Sequence, residues 1–581
     1  MFAFIKSVTW IIKKQWWKYI IILILGLSVA VLNLFPARII GELTEGIEAG
    51  EATKSFLLND ILIPYICVVI GIYAIQIIRK DCMNLLTTSI YFMLEKRYME
   101  SILAQDGTFF EKFQSGDLLS RALGDVNTVK FSAGNRLMNI FIEFITVIIT
   151  FVAMILINPI LAVACFVPLT AILISNMFLK AKVQNNWKVV REKNAEMSNV
   201  VLESVTNVRT IRAYSKEEEN YQKNLAYSKV AYETEVKNLK VNIIFQPLFQ
   251  LIVAASTLIC FGLGAYFYWK GYITKLSDLV TFNIYLGLFQ SPLTRIGNMI
   301  NNFYQSLISA DRLNEIYNSV SVVNEGSETT ESMETIEFKD FSFTYPGDEN
   351  QSLTNINLRI EKGKTIGIVG KTGSGKSTLV RQLLRQFPTD DKSIYINDHA
   401  IELFDKKNIR SHIAYVPQEH VLFSRSVKDN VAMGKDNPTD DEIRNAIKLA
   451  DFGKDIEYLA DGLNTIVGEY GVTLSGGQKQ RLGIARAMLR NSDVLILDDS
   501  LSAVDGKTEA NIIKNLKEFR NDKCNIIVCH RLSAVEHADL IVVLDNGTII
   551  ERGNHKELVA LNGWYANQYE NQKMEEGEAH E

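Results

Sequence analysis

The sequence lacks the features that mark several classes of protein. Its 61 lysines and arginines are outnumbered by 66 aspartates and glutamates, and the net charge of −5 argues against a nucleic-acid-binding protein, which normally carries a basic domain or stripe. The six cysteines have no metal-binding spacing, and most lie in apolar segments, so we expect neither a zinc site nor a disulfide framework. These cysteines are Cys67, Cys82, Cys165, Cys260, Cys524 and Cys529.

Long apolar runs occupy the first half of the 581-residue chain and exclude a disordered, collagenous or purely soluble protein. A helix needs about 20 apolar residues to cross roughly 30 Å of hydrocarbon, and backbone amides in lipid must bond within the segment. The first run is too long for a signal peptide, and its end contains Pro36 and Arg38 instead of a small-residue cleavage site. We therefore expect six membrane-spanning helices, at 17–40, 59–78, 137–157, 159–179, 242–268 and 278–297.

Lysine and arginine are concentrated in the N-terminal stretch and in segments 79–136 and 180–240, whereas loop 41–58 is mainly acidic. Because positive charge favours the inner side of a membrane, we expect both termini to be cytoplasmic. The two long basic segments are mostly helical in pattern, so the membrane helices should continue into the cytoplasm. Each contains a break suited to a short transverse helix, at 109–121 and 212–219. We expect these two segments to act as levers that contact another domain, rather than to form solvated helical hairpins.

A few polar side chains fall inside the apolar runs. A carboxylate is costly in lipid, so Glu143 should face a cavity or a partner helix. Contact with a substrate and a bond between helices are both open. The amides are more typical of helix–helix contacts than of ligand binding; they are Gln76, Gln246, Gln250, Asn283 and Gln290.

The second half begins with strand-like segments at 336–343, 353–360 and 365–369. The third is followed at once by G-x-x-x-x-G-K-[ST] and then by a helical run at 379–386, which is the context of a phosphate-binding P-loop. Glycines let backbone amides surround the β- and γ-phosphates, Lys376 supplies a positive charge, and Ser377 can bind Mg²⁺. The loop comprises Gly370, Lys371, Thr372, Gly373, Ser374, Gly375, Lys376, Ser377 and Thr378.

Two further motifs follow the P-loop. An apolar strand at 494–497 ends in Asp498 and Asp499, and parallel strands present their carboxyl ends to a ligand, so we expect Asp498 at Mg²⁺ and Asp499 at an attacking water. The segment Leu474–Gln478 reads LSGGQ and precedes a helical run at 479–489, which makes it a second anion-binding helix terminus. Since it cannot also reach the phosphate enclosed by its own P-loop, two cassettes arranged head-to-tail would sandwich ATP between them.

Together these motifs resemble the nucleotide-binding domain of an ATP-binding cassette (ABC) transporter, and six spans followed by one cassette resemble an exporter half-transporter. The resemblance implies ATP and Mg²⁺ as cofactors. It implies that Tyr345 stacks on adenine, that Gln418 meets Mg²⁺ and water, and that His530 contacts the γ-phosphate. It further implies that Thr465–Glu469 makes interdomain contacts and that Ser502–Asp505 makes dimer contacts. The signature is expected to bind the partner's ATP; its residues are Ser475, Gly476, Gly477 and Gln478.

One position departs from the family pattern. Active cassettes place Glu after the magnesium aspartate, whereas this chain has Asp499, which is shorter by one methylene. Its carboxylate should reach the water poorly, and general-base catalysis is worth roughly 10²–10⁴-fold. Similar chains occur in heterodimeric bacterial exporters with one impaired ATP site, which implies a different partner subunit carrying the Glu. A homodimer with a slow Asp base is the alternative.

The expected fold is an α-helical transmembrane domain of exporter type fused to an α/β P-loop NTPase cassette. The expected boundaries are a transmembrane domain at 1–320, a linker at 321–335, a nucleotide-binding domain at 336–570 and a disordered acidic tail at 571–581. The expected activity is ATP-driven export of hydrophobic or amphiphilic compounds across the cytoplasmic membrane, in contact with lipid and with no nucleic-acid partner. The alternatives are homodimeric export of peptide or lipid, and an ATP-gated channel or regulatory subunit.

Overall fold

The computed structural model describes residues 2–51, 53–273, 275–389, 392–468 and 474–578; side chains are not described at 169–185, 241–242, 244–250, 294, 297–302, 304 and 575–578. The chain divides into two compact units. The first contains the residues up to Leu103 together with Ser115–Ser319, and the second contains Ala104–Gln114 together with the residues from Val320 onward.

Helices account for almost all of the first half of the chain. Three π-helical turns interrupt them at Leu57–Leu62, Arg121–Asp125 and Ser132–Arg136. In chain order the α-helices are α1 (Phe2–Ser7), α2 (Thr9–Leu32), α3 (Phe35–Glu48), α4 (Lys54–Phe56), α5 (Ile63–Leu103), α6 (Gly107–Lys112), α7 (Ser115–Ser120), α8 (Val126–Phe131), α9 (Leu137–Ile157), α10 (Pro159–Thr206), α11 (Val208–Ala213), α12 (Glu217–Trp269) and α13 (Leu276–Tyr317).

Each of the six apolar runs lies in this helical half, and the predicted fold class is confirmed. Among the described residues, four helical stretches are long and apolar enough to cross a membrane: Thr9–Glu48, Lys54–Leu103, Ser115–Ile157 and Leu251–Trp269. The runs 159–179 and 278–297 lie in α10 and α13, and parts of both fall on side chains outside the description. Helix α10 has 48 residues, or about 72 Å at 1.5 Å per residue, more than twice the hydrocarbon thickness. It therefore extends well beyond a bilayer.

The first predicted span is not one continuous helix. Helix α2 ends at Leu32 and α3 begins at Phe35, with Pro36 in its first turn. Proline lacks an N–H and fits the first turn of a helix, where no intrahelical partner is needed, but it disrupts a helix interior. The break therefore follows from Pro36, which the sequence interpretation placed inside the span.

A buried ionic network holds the end of α13 against the segment that follows α7. Arg121 is 7% exposed, and its guanidinium donates to Asp117 at 2.8 Å, to the carbonyl of Arg312 at 2.7 Å and to Glu315 at 2.9 Å. Arg312 in turn pairs with Asp117 at 2.6 Å and with Asp125 at 2.9 Å. Because the charges pair with one another, the network ties α13 to α7 and to the segment that follows it.

The second unit includes a short helix from the first basic segment. Asp106 caps α6 by accepting a hydrogen bond from the Phe109 amide at 3.3 Å, and the Gly107 amide donates to the Gln386 carbonyl at 2.7 Å. The other oxygen of Asp106 accepts from Ser321 Oγ at 2.8 Å and from the amides of Val322 and Val323. The transverse helix expected near 109–121 is thus Gly107–Lys112, and it packs with the cassette rather than within the 1–320 domain.

The cassette is an α/β structure with two sheets. One sheet has the order β2-β1-β4-β5 and is antiparallel; the other has the order β10-β9-β3-β8-β7-β6 and is parallel except for β10. The strands are β1 (Thr335–Phe343), β2 (Leu353–Glu361), β3 (Thr365–Gly370), β4 (Ile394–Ile396), β5 (His399–Ala400), β6 (Ile413–Val416), β7 (Val494–Asp498), β8 (Cys524–Val528), β9 (Leu540–Asp545) and β10 (Thr548–Gly553).

Helices cover the larger sheet on both faces. Ile496 packs in one hydrophobic cluster and the adjacent Leu495 and Leu497 in the other, because successive side chains of a strand point to opposite faces. The remaining helices are α14 (Lys376–Gln382), α15 (Lys406–Ser411), α16 (Val427–Ala432), α17 (Asp440–Leu449), α18 (Gly453–Ile456), α19 (Gly476–Arg490), α20 (Gly506–Phe519), α21 (His555–Ala560) and α22 (Trp564–Glu578).

The predicted linker at 321–335 is not a free tether. The Asn324 carbonyl accepts a hydrogen bond from Arg385 at 2.6 Å, the Thr330 amide donates to Asn408 at 2.8 Å, and the Met333 amide donates to Asp493 at 3.0 Å. Polar composition suggested a linker, but these polar groups are used to bind the segment to the cassette.

Of the tail predicted at 571–581, residues 571–578 belong to α22, and residues 579–581 lie outside the described part of the chain. The helix is anchored at its start by Tyr565, which is fully buried and hydrogen-bonded to His555 at 2.9 Å. Charge in the last residues suggested disorder, whereas apolar contacts one and two turns earlier determine the structure.

Candidate functional site

The P-loop turns sharply between β3 and α14. Gly370, Gly373 and Gly375 have φ values of +148°, +82° and +98°, a region that residues with a Cβ rarely adopt. A Cβ on Gly370 would also collide with the carbonyl of Leu544, and one on Gly375 would lie 2.8 Å from Leu353. The glycine spacing is therefore required by this backbone path. Helix α14 ends at Gln382, earlier than the helical run expected to 386.

Lys376 closes the loop from within. Its ammonium donates to the carbonyls of Gly370 at 2.9 Å and Lys371 at 2.8 Å, and the residue is 6% exposed. Burial lowers the pKa of Lys376, although nearby Asp499, Cys529 and Asp498 oppose that shift. Ser374 Oγ is buried and has no hydrogen-bond partner among the described residues. An unpaired hydroxyl beside the buried Lys376 ammonium is well placed to donate to a phosphate oxygen.

Asp498 ends β7 as a fully buried carboxylate. Ser377 Oγ donates to its Oδ1 at 2.6 Å, and Tyr415 Oη donates to its Oδ2 at 2.9 Å. A carboxylate and a hydroxyl are the hard oxygen ligands that Mg²⁺ prefers beside a phosphate. These two side chains therefore fit the predicted ion.

Asp499 follows immediately and faces the predicted Gln418 and His530. Gln418 Nε2 donates to Asp499 Oδ2 at 3.4 Å. Burial raises the pKa of Asp499, with Asp498 adding to the rise and His530 and Lys376 opposing it. Burial, assisted by Lys376, lowers the pKa of His530, so its imidazole is neutral near pH 7 and can donate one hydrogen bond.

Tyr345 stands at the opposite side of the loop. Its ring packs edge-on against Phe343 and Phe387, with centroids 5.0 Å and 5.1 Å away, and its hydroxyl shares a hydrogen bond of 3.1 Å with Thr378. Edge contacts fix the ring orientation without covering both faces. Such a ring can stack on a planar base.

These groups line one cavity of about 760 Å³, a size typical of a small-molecule site. Residues from Gly547 and from the turn after Tyr345 complete the wall. The predicted site residues among its lining are Tyr345, Thr372, Gly373, Ser374, Gly375, Lys376, Ser377, Thr378, Gln418, Asp498, Asp499 and His530. Gly370 and Lys371 lie beneath it, where their carbonyls accept from Lys376.

The signature residues Ser475, Gly476, Gly477 and Gln478 are not among those that line this cavity. They begin α19, where Ser475 Oγ accepts from the Gln478 amide at 3.3 Å and Gln478 Oε1 accepts from the Ser475 amide at 2.9 Å, a capping box. Gln478 also donates to Asp455 at 3.1 Å. The helix thus starts at Gly476, three residues earlier than expected.

Of the two loops expected to make interdomain and dimer contacts, Ser502–Asp505 lies beside the site. Ser502 Oγ donates to the Asp499 carbonyl at 2.9 Å, which ties the segment Ser502–Asp505 to the aspartate pair. Ile466 is 67% exposed and pairs with Ser426 in an isolated bridge. Glu469 lies outside the described residues.

Two side chains that contact residues of the site were not identified from the sequence: Tyr415 and Gln572. Tyr415 lies on β6 three residues before Gln418, and strand alternation could have placed it on the same face as Asp498. Gln572 lies on α22; its side chain donates to the His530 carbonyl at 2.8 Å and accepts from the Leu532 amide at 2.9 Å. No local pattern marks Gln572, because the contact joins residues about 40 positions apart.

In the membrane half, Glu143 meets a partner helix. Its carboxylate forms a two-point ion pair with Arg295 of α13, at 2.6 Å and 3.0 Å. An interhelical bond, one of the two readings of Glu143, is therefore present. The side chains of Gln246 and Gln250 lie outside the described part of the structure.

Comparison with known proteins also divides the chain into a transmembrane part and an ATP-binding part. A family model described as the ABC transporter transmembrane region matches residues 19–293, and one described as ABC transporter matches residues 353–502. The chain is similar to the probable multidrug resistance ABC transporter ATP-binding/permease protein YheI of Bacillus subtilis, 40% identical over 588 residues and covering 100% of both chains. It is 32% identical to the multidrug resistance-like ATP-binding protein MdlA of Escherichia coli, covering 98% of this chain and 96% of that protein.

An ATP-dependent lipid A-core flippase of Pseudomonas fluorescens is 32% identical, covering 81% of this chain and 79% of the flippase. A solved bacterial Atm1-family ABC exporter with ATP bound matches the fold with a TM-score of 0.79 at 22% identity, covering 97% of this chain and 99% of that one. The chain therefore belongs to the ABC transporter family, as a membrane-spanning exporter in which the helical transmembrane domain is fused to an ATP-hydrolysing cassette.

Proposed function

We propose that this chain is one subunit of a heterodimeric exporter that moves hydrophobic or amphiphilic compounds out across the cytoplasmic membrane. The observation that carries the proposal is Asp499, which stands where active cassettes of the family have Glu. Its own ATP site would hydrolyse ATP weakly, and its intact signature would complete the active site of a partner that carries the Glu. Both termini would lie in the cytoplasm.

At its own site, the residues have distinct proposed roles. Tyr345 stacks on adenine, the loop from Gly370 to Thr378 surrounds the phosphates, and Ser377, Gln418 and Asp498 hold Mg²⁺, which neutralises phosphate charge when bound. Asp499 is placed to orient the attacking water, and neutral His530 to donate to the γ-phosphate. The orphaned Ser374 Oγ and the buried Lys376 support phosphate binding here.

The reach of Asp499 supports weak hydrolysis. Its carboxylate accepts a hydrogen bond from Gln418 at 3.4 Å, which is longer than usual for an N–H···O contact. Its φ is +50°, a left-handed conformation that Asp tolerates better than most residues with a side chain. A carboxylate one methylene shorter than Glu, on this constrained backbone, is a poor general base.

The signature supports the partner role. Ser475, Gly476 and Gly477 are unaltered, and the capping box uses the Ser475 hydroxyl and the Gln478 side chain to fix the start of a 15-residue helix. Free backbone amides at such a terminus bind anions. Since these residues are not among those lining the chain's own cavity, a phosphate at the signature would belong to the partner's nucleotide.

The pairing is tested by purifying the tagged chain from its native membranes and sequencing the subunit that accompanies it. The proposal predicts a second ABC half-transporter with Glu after its magnesium aspartate. Recovery of the chain only as a pair with itself would contradict the heterodimer and leave the ABC assignment intact.

Lipid export is a second candidate, favoured by the 32% identity to the lipid A-core flippase. Inside-out vesicles discriminate between the two substrates and also exclude a channel. The proposal predicts ATP-dependent accumulation of a fluorescent amphiphile against its gradient. Movement of a labelled lipid without amphiphile accumulation would favour the flippase, and movement only down a gradient would indicate a channel.

A further inference from the structure

Tyr415 lies directly behind the aspartate pair, although it is not part of the P-loop, the signature or any other motif assigned above. Strand β6 runs parallel to β7 with Tyr415 opposite Ile496. Side chains alternate along a strand, so Asp498, two residues beyond Ile496, lies on the same face as Ile496. The Tyr415 hydroxyl therefore reaches Asp498 Oδ2, at 2.9 Å, from a neighbouring strand.

The two oxygens of Asp498 have one side-chain donor each. Ser377 donates to Oδ1 at 2.6 Å, from the loop that would face the phosphates, and Tyr415 donates to Oδ2 from within the fold. The carboxylate is fully buried, and a buried charge without donors is costly. A carboxylate fixed at both oxygens cannot rotate freely about its terminal torsion, which is otherwise soft.

A third side chain orients the tyrosine. Arg381 Nε, on α14 one turn after Lys376, donates to the Tyr415 oxygen at 3.4 Å. Because that oxygen accepts from a cation, its own proton is directed toward the carboxylate.

We propose that Tyr415 is a positioning residue that holds Asp498 in the orientation in which it receives Mg²⁺, with Arg381 orienting Tyr415. The inference rests on the proposed role of Asp498 in Mg²⁺ binding. Groups that hold a metal-binding carboxylate from behind typically change metal affinity by 10–100-fold when removed. The chain Arg381–Tyr415–Asp498 thus links the P-loop helix to the ion through hydrogen bonds rather than through the ligands alone.

The test is the Mg²⁺ dependence of nucleotide binding by the full-length chain in detergent, measured with a fluorescent ATP analogue. Tyr415→Phe removes one oxygen and keeps the ring. We expect about a tenfold rise in the Mg²⁺ concentration needed for half-maximal enhancement of binding, with Mg²⁺-free affinity unchanged. Arg381→Leu should give a smaller rise, about threefold, because it acts through Tyr415.

Tyr395→Phe is the matched control, because Tyr395 is a half-buried strand tyrosine on β4 that does not line the cavity. It should leave the Mg²⁺ midpoint unchanged. An unchanged midpoint in Tyr415→Phe would overturn the inference. If Tyr415→Phe weakened nucleotide binding as much without Mg²⁺ as with it, the inference would also be overturned, since Tyr415 would then support the pocket as a whole.

The Mg²⁺-binding role of Asp498 and the positioning role of Tyr415 can be disproved separately. If the unmodified chain showed no Mg²⁺ enhancement of binding, the proposed role of Asp498 itself would be wrong. If the unmodified chain showed the enhancement and Tyr415→Phe retained it in full, only the positioning role would be lost.

Discussion

Lys376 stabilises the P-loop even without nucleotide, because its ammonium bonds to two carbonyls of the same loop. Lys376→Ala removes both bonds together with the only buried cation in the described lining of the cavity. We expect ATP affinity at this chain's own site to fall at least tenfold, since hydrogen bonds to a charged group contribute about 1.5–3 kcal/mol each.

The measurement is titration of the full-length chain with a fluorescent ATP analogue. Lys407→Ala is the matched control, because Lys407 is an exposed lysine of α15 that does not line the cavity. Equal affinity of Lys376→Ala and the unmodified chain would contradict the assignment of this cavity to ATP.

Among the elements, α6 is attached to the cassette mainly through Asp106. Burial would raise the pKa of Asp106, but hydrogen bonds from Ser321, Val322 and neighbouring amides outweigh burial and hold the pKa below its usual range. A lowered carboxyl pKa stabilises the folded contact above the ordinary value of 3.8, and the stabilisation is lost as pH falls through the lower folded value.

Asp106→Ala should therefore loosen α6 and the segment after Val320, by about 2–3 kcal/mol of local opening free energy for the lost charge-assisted bonds. Hydrogen exchange at residues 107–112 and 320–323 measures it, with Glu111→Ala on the same helix as control. If protection at both segments were unchanged near neutral pH, Asp106 would not hold them together.

Helix α22 contributes a second contact of this kind, between Gln572 and the loop that carries His530. Gln572→Leu removes both hydrogen bonds and leaves the Leu532 amide without its partner. A neutral hydrogen bond contributes about 1 kcal/mol, so we expect exchange of that amide to speed up about fivefold. ATP should also dissociate faster from this site, because His530 is no longer fixed.

Asn571→Leu provides the matched control, since Asn571 is the exposed neighbour of Gln572 on the same helix. It should alter neither exchange nor nucleotide release. Similar exchange rates in the two variants would show that α22 does not stabilise the His530 loop.

The elements that the sequence predicts best are those whose evidence is local. The P-loop glycines, the strand before them and the aspartates after β7 are contiguous stretches, and all were placed within a few residues of their observed bounds. The six apolar runs were similarly visible, apart from the break before Pro36.

Contacts between distant residues could not be predicted in this way. Arg121 bonds to residues more than 190 positions away, and Gln572 to residues about 40 positions away, and neither contact leaves a periodic pattern. The start of α22 is a similar case: the charged residues of its end are visible in the sequence, whereas the Tyr565–His555 contact that anchors its start is tertiary.

At the scale of the assembled transporter, the proposed head-to-tail pairing of this chain with a partner that carries Glu would make the two ATP sites unequal. Ser475→Ala in this chain should impair hydrolysis at the partner's site, because it removes the hydroxyl that caps α19 at the signature. Loss of such a cap costs about 1 kcal/mol of helix stability, in addition to any lost phosphate contact. We expect ATP turnover of the heterodimer to fall at least fivefold.

The readout is ATP turnover of the purified heterodimer, with the equivalent serine of the partner replaced in a parallel preparation. Replacement in the partner should have a much smaller effect, since in the proposed heterodimer its signature would face the weak site. Equal losses in the two preparations would contradict an asymmetric pair.

The short carboxylate of Asp499 is proposed to make ATP hydrolysis at this chain's own site slow. The most direct test is steady-state ATP turnover of the isolated chain as the unmodified protein, Asp499→Glu and Asp499→Asn, with thermal stability checked because φ at this position is +50°. We expect slow turnover by the unmodified protein, at least a tenfold gain for Asp499→Glu, and no gain for Asp499→Asn. Brisk turnover by the unmodified chain that Asp499→Glu leaves unchanged would contradict it.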